Sequence, residues 1–162
     1  MKRLSLIATV LGVLIVFAPA ANAGKSSGSG IHFQGGQPSC SVSGLTVSCT
    51  SSDIAGVGGF NAHADLAVTV HAVVDCTNHG QHFVPNKTTD STTGGTTGQI
   101  EPQNGHLLVP ALSTTGSLPT LDPARDCPNK NWTASISSYT VTWTYDIWFD
   151  TNPPYVFFHL AG

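Results

Sequence analysis

The stretch DLAVTVHAVVDC, residues 65–76, decides the fold. Leu66, Val68, Val70, Ala72, Val74 and Cys76 fall on every second position, with Asp65, Thr69, His71 and Asp75 between them. A period of two places one set of side chains on each face of a β-strand, so this strand has a buried face and a wet one, as in an antiparallel sheet. The pattern also turns Cys76 inward. A second alternation runs from Tyr139 to Phe149: Tyr139, Val141, Trp143, Tyr145, Ile147 and Phe149 interleave with Thr140, Thr142, Thr144 and Asp146.

Working outward, residues 132–137 predict the strand before that one. Residues 106–112 predict another, placed at a sheet edge because Pro110 has no N–H to donate. The Thr-, Gly- and Asn-rich stretch 77–105 is too long for a bare loop in a compact domain, and a weak hairpin turning at Gly94-Gly95 is expected within it. A Pro-punctuated crossing, 113–130, carries Cys127, and residues 155–160 close the domain. Seven or eight short strands without helical periodicity predict an all-β domain. An antiparallel, immunoglobulin-like sandwich is expected, with an up-and-down barrel as the alternative.

Four cysteines remain to be placed. In CSVSGLTVSC, residues 40–49, Gly44-Leu45 fits a two-residue hairpin turn with glycine at the position that needs positive φ. That register sets Ser43 against Thr46, Val42 against Val47 and Cys40 against Cys49. Counting from the turn, the cysteines fall on a pair without mutual hydrogen bonds, where Cα atoms are closest and a bridge fits. Cys76 and Cys127 are left to form the second disulfide. No CxxC pair suggests zinc instead.

The N-terminus reads as an export signal. Lys2 and Arg3 precede an apolar run over residues 4–18, Pro19 breaks it, and Ala21-Asn22-Ala23 supplies a small-x-small cleavage pattern. The run is shorter than the roughly 20 residues that span a bilayer. Residues 1–23 are therefore expected to be removed, leaving a flexible segment at 24–38, a β-sandwich domain at 39–162 and no membrane attachment. Export would leave four basic against nine acidic residues and a net charge of −5. Lys25, Lys87, Arg125 and Lys130 are scattered, so no basic stripe exists for nucleic acid.

Three segments resemble a family of small secreted proteins of actinobacteria: Gly56-Val-Gly-Gly-Phe-Asn61, Val74-Asp-Cys-Thr-Asn-His-Gly80 and Asp126-Cys-Pro-Asn-Lys-Asn-Trp-Thr-Ala134. In that family a Gly-Leu-Gly-Asn-like turn leads into a long strand ending in Cys-Thr-Asn, and a Cys-Pro-Asn-x-Asn-Trp-Thr-Ala segment opens the C-terminal strands. The resemblance spans roughly residues 45–138. It implies export, the Cys76–Cys127 bridge and a β fold, and it transfers no functional residue. His79 stands where the pattern has proline, and the Trp/Tyr/Phe-rich end is a departure.

Candidate chemistry is sparse. All seven histidines lie beyond residue 23. His63, Asp65, His71 and Asp75 share the wet face, but His63 and His71 sit about 26 Å apart along one strand and cannot share an ion. No metal or other cofactor is expected. Blue copper is excluded because the only methionine is Met1 and the cysteines are bridged. Gly24-Lys-Ser-Ser-Gly28 matches G-x-S-x-G but lacks the strand and helix of a nucleophile elbow, and Gly24-Lys25-Ser26 lacks the upstream glycine of a phosphate loop. The Asp122/Asp126 and Asp146/Asp150 pairs could work on a glycoside only if the fold brought them together. Trp148 is out of phase with the inward positions of its strand, and Phe157-Phe158 would send one ring to each side. These three rings are the candidate binding surface, for polysaccharide or another extracellular protein. The expectation is a secreted, non-enzymatic binding or surface protein; the alternatives are a small hydrolase using Asp and His residues and an exported protease inhibitor.

Overall fold

The computed structural model describes residues 30–80 and 83–162. The predicted signal segment, 1–23, and the start of the 24–38 segment lie outside them.

Ten strands and one helical turn follow in order: β1 His32–Gln34, β2 Cys40–Ser43, β3 Thr46–Cys49, β4 Ser52–Ala55, β5 Ala62–Thr77, β6 Phe83–Thr96, β7 His106–Val109, β8 Leu112–Thr115, α1 Pro123–Asp126, β9 Thr133–Phe149 and β10 Tyr155–Ala161. All pairings are antiparallel. A four-stranded sheet, β10-β9-β5-β6, forms one layer of a sandwich, and two three-stranded sheets, β1-β4-β7 and β2-β3-β8, pack on its inner face.

The two alternating stretches are the two central strands. β5 alternates buried and half-buried residues over its whole length, and Leu66, Val68, Val70, Ala72 and Val74 are fully buried. Tyr145, Ile147 and Phe149 of β9 join them, and Ile54, Val57, Leu107 and Val109 close the core from the opposing layer. The far half of β5 is covered by the crossing that carries α1. Asp122 caps this turn by accepting from the Ala124 N–H, and Pro123 occupies its first position.

Both predicted disulfides form, Cys40–Cys49 with Cα atoms 4.0 Å apart and Cys76–Cys127 at 5.7 Å. The β2–β3 register is the one expected from the Gly44-Leu45 turn.

Five expectations need correction. Strands among the described residues number ten, because the opposing layer divides into two small sheets. Residues 24–38 are not all a loose lead-in: β1 pairs with β4, and Phe33 packs on the core. Residues 132–137 do not form a separate strand; β9 runs on through an irregularity where Val73 faces Ser138 and Val74 faces Ile136. The 77–105 stretch does not turn at Gly94-Gly95. β6 is one long strand pairing with β5, and the two glycines sit within it opposite Ala67 and Leu66. Gly95 is required there because a Cβ would collide with the Thr114 hydroxyl. Finally, residues 106–112 are not one strand: Pro110 separates β7 from β8, which lie, as expected, at sheet edges but belong to different sheets.

Candidate binding face

The outer face of the four-stranded sheet collects the polar alternates of β5 and β9. In register across the strands, Val156, Trp148 and His63 form one row; His159, Asp146, Asp65 and Thr96 form the next; Ala161, Thr144, Ala67 and Gly94 form a third. Beyond these lie Thr142, Thr69 and Thr92, then Thr140, His71 and Asp90. No lysine or arginine occupies any of these positions.

Trp148 points outward, as its phase predicted, and is half-buried. Its ring lies parallel to that of His63, with centroids 6.4 Å apart and planes 6° apart. Phe157 and Phe158 are a correction: both are buried. The β10 register slips between Val156 and Phe158, so the extra residue of a bulge turns both rings inward. Phe33 receives them, with centroids 5.2 Å from each. Only Trp148 of the three predicted rings is available to a ligand.

The histidines of this face are tied to carboxylates. His63 Nδ1 lies 2.7 Å from Asp150 and its Nε2 lies 3.4 Å from Asp65. His159 Nδ1 lies 2.6 Å from Asp146, and His71 Nδ1 lies 2.9 Å from Asp90. The Gln99 side-chain amide donates to Asp150 and, together with His63, holds that carboxyl below the ordinary carboxylate range against the opposing effect of burial. His106 makes a similar pair with Asp53 on the β1-β4-β7 sheet. Among the described residues no group of three or more His, Cys, Asp or Glu side chains is placed to hold a metal ion.

One chain of contacts has the order used by nucleophilic hydrolases. An ionised Asp90 can only accept, so His71 Nδ1 carries the proton, and Nε2 stands 2.8 Å from Thr142 Oγ1. An acyl-transfer site also needs donors aimed at a developing oxyanion. The backbone N–H groups around Thr142 lie in the plane of the sheet, and the Thr142 N–H itself points into the β5 ladder.

Between the Trp148 row and this chain the face dips. Ala67, Ala161 and Gly162 floor a shallow depression of about 450 Å³, with Thr69, Thr142 and Thr144 around it. Small residues on the strands at either side of β9 leave the dip, and threonine hydroxyls give it donors and acceptors. A second groove, about 580 Å³, lies at the other layer between Gln34, Gln37, Asp53 and Leu108. Leu108 there is 65 % exposed.

The threonine rows and the His–Asp pairs were not singled out from sequence. The T-x-T-x-T spacing of Thr140, Thr142 and Thr144 was the available signal; the acidic partners Asp90 and Asp150 come from distant segments. Compared with protein-family models, curated proteins and solved structures, the chain matches none.

Both bridges fit an oxidising compartment. Among the described residues, no helix is long and apolar enough to cross a membrane.

Proposed function

We propose that this is a secreted, non-enzymatic protein that binds neutral polysaccharide through the outer face of the four-stranded sheet. One observation carries the reading: an outward Trp148, braced by His63, opens onto a face of threonines and small residues in which every histidine is matched by a carboxylate. An indole face packs on the C–H surface of a sugar ring, and hydroxyls that both donate and accept match sugar hydroxyls. Lacking lysine and arginine, the face offers nothing to sulfated or phosphorylated polymers. The export signal, the two disulfides and the resemblance to small secreted actinobacterial proteins support the extracellular setting.

The test is retention on insoluble neutral polysaccharides by wild type and Trp148→Ala. Wild type should be retained and the variant lost. Equal retention of both, or of neither, would remove the proposal.

A hydrolytic reading has one observation in its favour, the Thr142–His71–Asp90 chain. Covalent labelling of Thr142 by a fluorophosphonate, abolished in His71→Asn, would establish it over the binding reading.

A further inference from the structure

β9 is far longer than the strand on its outer side. β10 pairs with it only from Thr144 to Phe149, and the last contact is the exchange between Trp143 and Gly162, at 2.8 and 3.1 Å. Upstream, from Thr133 to Thr142, β9 pairs on one side only among the described residues, with β5. Trp143 directs its N–H and C=O toward β10, so by antiparallel alternation Val141 and Tyr139 direct theirs the same way. Among the described residues none hydrogen-bonds these four groups.

Open edges are ordinarily blunted by charge, proline or short length. β6 carries Pro85, Lys87 and Asp90 along its edge, and β1, β2, β7 and β8 are three or four residues long. The edge of β9 has no such guard. Residues 133–145, TASISSYTVTWTY, contain no charged residue, proline or glycine and are rich in β-branched and aromatic side chains. Tyr139, on the inner side of the sheet, is left 45 % exposed.

We propose that this edge pairs with the same edge of a second copy, joining two four-stranded sheets into one of eight. The sequence is self-complementary about Thr140. With the two-fold axis there, Tyr139 of each copy faces Val141 of the other, and these pairs form four hydrogen bonds from the groups left open. On the inner side, each ring packs on a β-branched residue; on the outer side, Thr140 meets its own counterpart. A segment without charge can face itself without repulsion. The ends of the pairing are also set. Gly162 blocks the edge at Trp143, so the added strand stops opposite Thr142, at its own Ser138, beside the β9 irregularity. Residues 138–142 fit between these stops. The composite sheet carries the outer faces of both copies side by side.

Five paired residues make a small interface, and the dimer is expected to dissociate at a concentration on the order of 10⁻⁴ M. Sedimentation velocity of the exported chain, from about 10 µM to about 1 mM, should show a reversible monomer–dimer equilibrium. Thr140→Lys sets two like charges together on the axis while leaving the monomer's exposed position tolerable. It should weaken association at least about tenfold and shift the thermal midpoint by less than about 2 °C. Thr140→Cys places thiols on the closest Cα pair of the new interface and should cross-link under mild oxidation, whereas Thr142→Cys, about 13 Å from its counterpart, should not. A wild type that stays monomeric throughout, an unaffected Thr140→Lys, or equal cross-linking of the two cysteine variants would overturn the proposal.

Discussion

The docking of β1 can be tested by a double-mutant cycle between Phe33 and Phe158. Phe158 is 5 % exposed and meets Phe33 edge-on at 5.2 Å and Tyr145 at 6.4 Å. Burial of the ring contributes about 1.5–3 kcal/mol, and each edge-on partner adds about 0.5–1.5 kcal/mol. Phe158→Ala should therefore cost about 4 kcal/mol, inside the range of about 3–5 kcal/mol for such truncations. Phe33 is only partly buried, so Phe33→Ala should cost about 2 kcal/mol. Because the rings touch, the double variant should lose about 5 kcal/mol, a coupling of about 1 kcal/mol. Urea denaturation with both disulfides intact measures all four corners, given equal slopes. Costs that add to within about 0.3 kcal/mol would mean that β1 does not hold these rings, and the correction to the flexible-segment expectation would fail.

Other outcomes follow from the same physics. The Tyr145 hydroxyl is buried without a hydrogen-bond partner among the described residues, and burial pushes its pKa up to about 12. Tyr145→Phe should stabilise the fold by about 1 kcal/mol and raise the thermal midpoint by about 3 °C. The Cys76–Cys127 bridge spans 51 residues and Cys40–Cys49 spans 9. In the chain-entropy account, replacing the first pair by serine should cost about 4 kcal/mol and the second about 3 kcal/mol; the reverse order in denaturant titration would contradict it. Asp126 is buried, and the Arg125 guanidinium and the Asp122 backbone N–H hold its carboxyl at about 2, against the opposing effect of burial. A depressed pKa means stability that is present above the ordinary carboxylate range and is lost as pH falls through about 2. Between about pH 4 and pH 2 the thermal midpoint of wild type should fall more steeply than that of Asp126→Asn.

Where apolar side chains keep period two against a covered face, the chain announced its own structure. β5 and most of β9 were legible for that reason, and the Cys40–Cys49 hairpin from its Gly44-Leu45 turn, since β2 is largely exposed. β6 was not. Its inner residues, Lys87, Thr89, Ser91, Thr93 and Gly95, carry no apolar alternation to read, and Gly95 gives clearance to the Thr114 side chain where a turn had been read. The bulge in β10 has no local signal: reversing the side of Phe157 takes one extra residue, and only the waiting Phe33 shows why it forms. Phe33 was itself hidden by the glycines around it. The candidate face was legible at Trp148, whose phase was wrong for the core. Its hydroxyl rows and His–Asp pairs depend on which strands become neighbours, and single-strand periodicity cannot supply that.

The most direct test of polysaccharide binding is an amide chemical-shift map during titration with a soluble fragment of the retained polymer. The account predicts perturbations confined to the outer face, centred on His63, Ala67, Thr144 and Trp148. Shifts clustered instead around Gln34, Asp53 and Leu108, or none at saturating fragment, would contradict it.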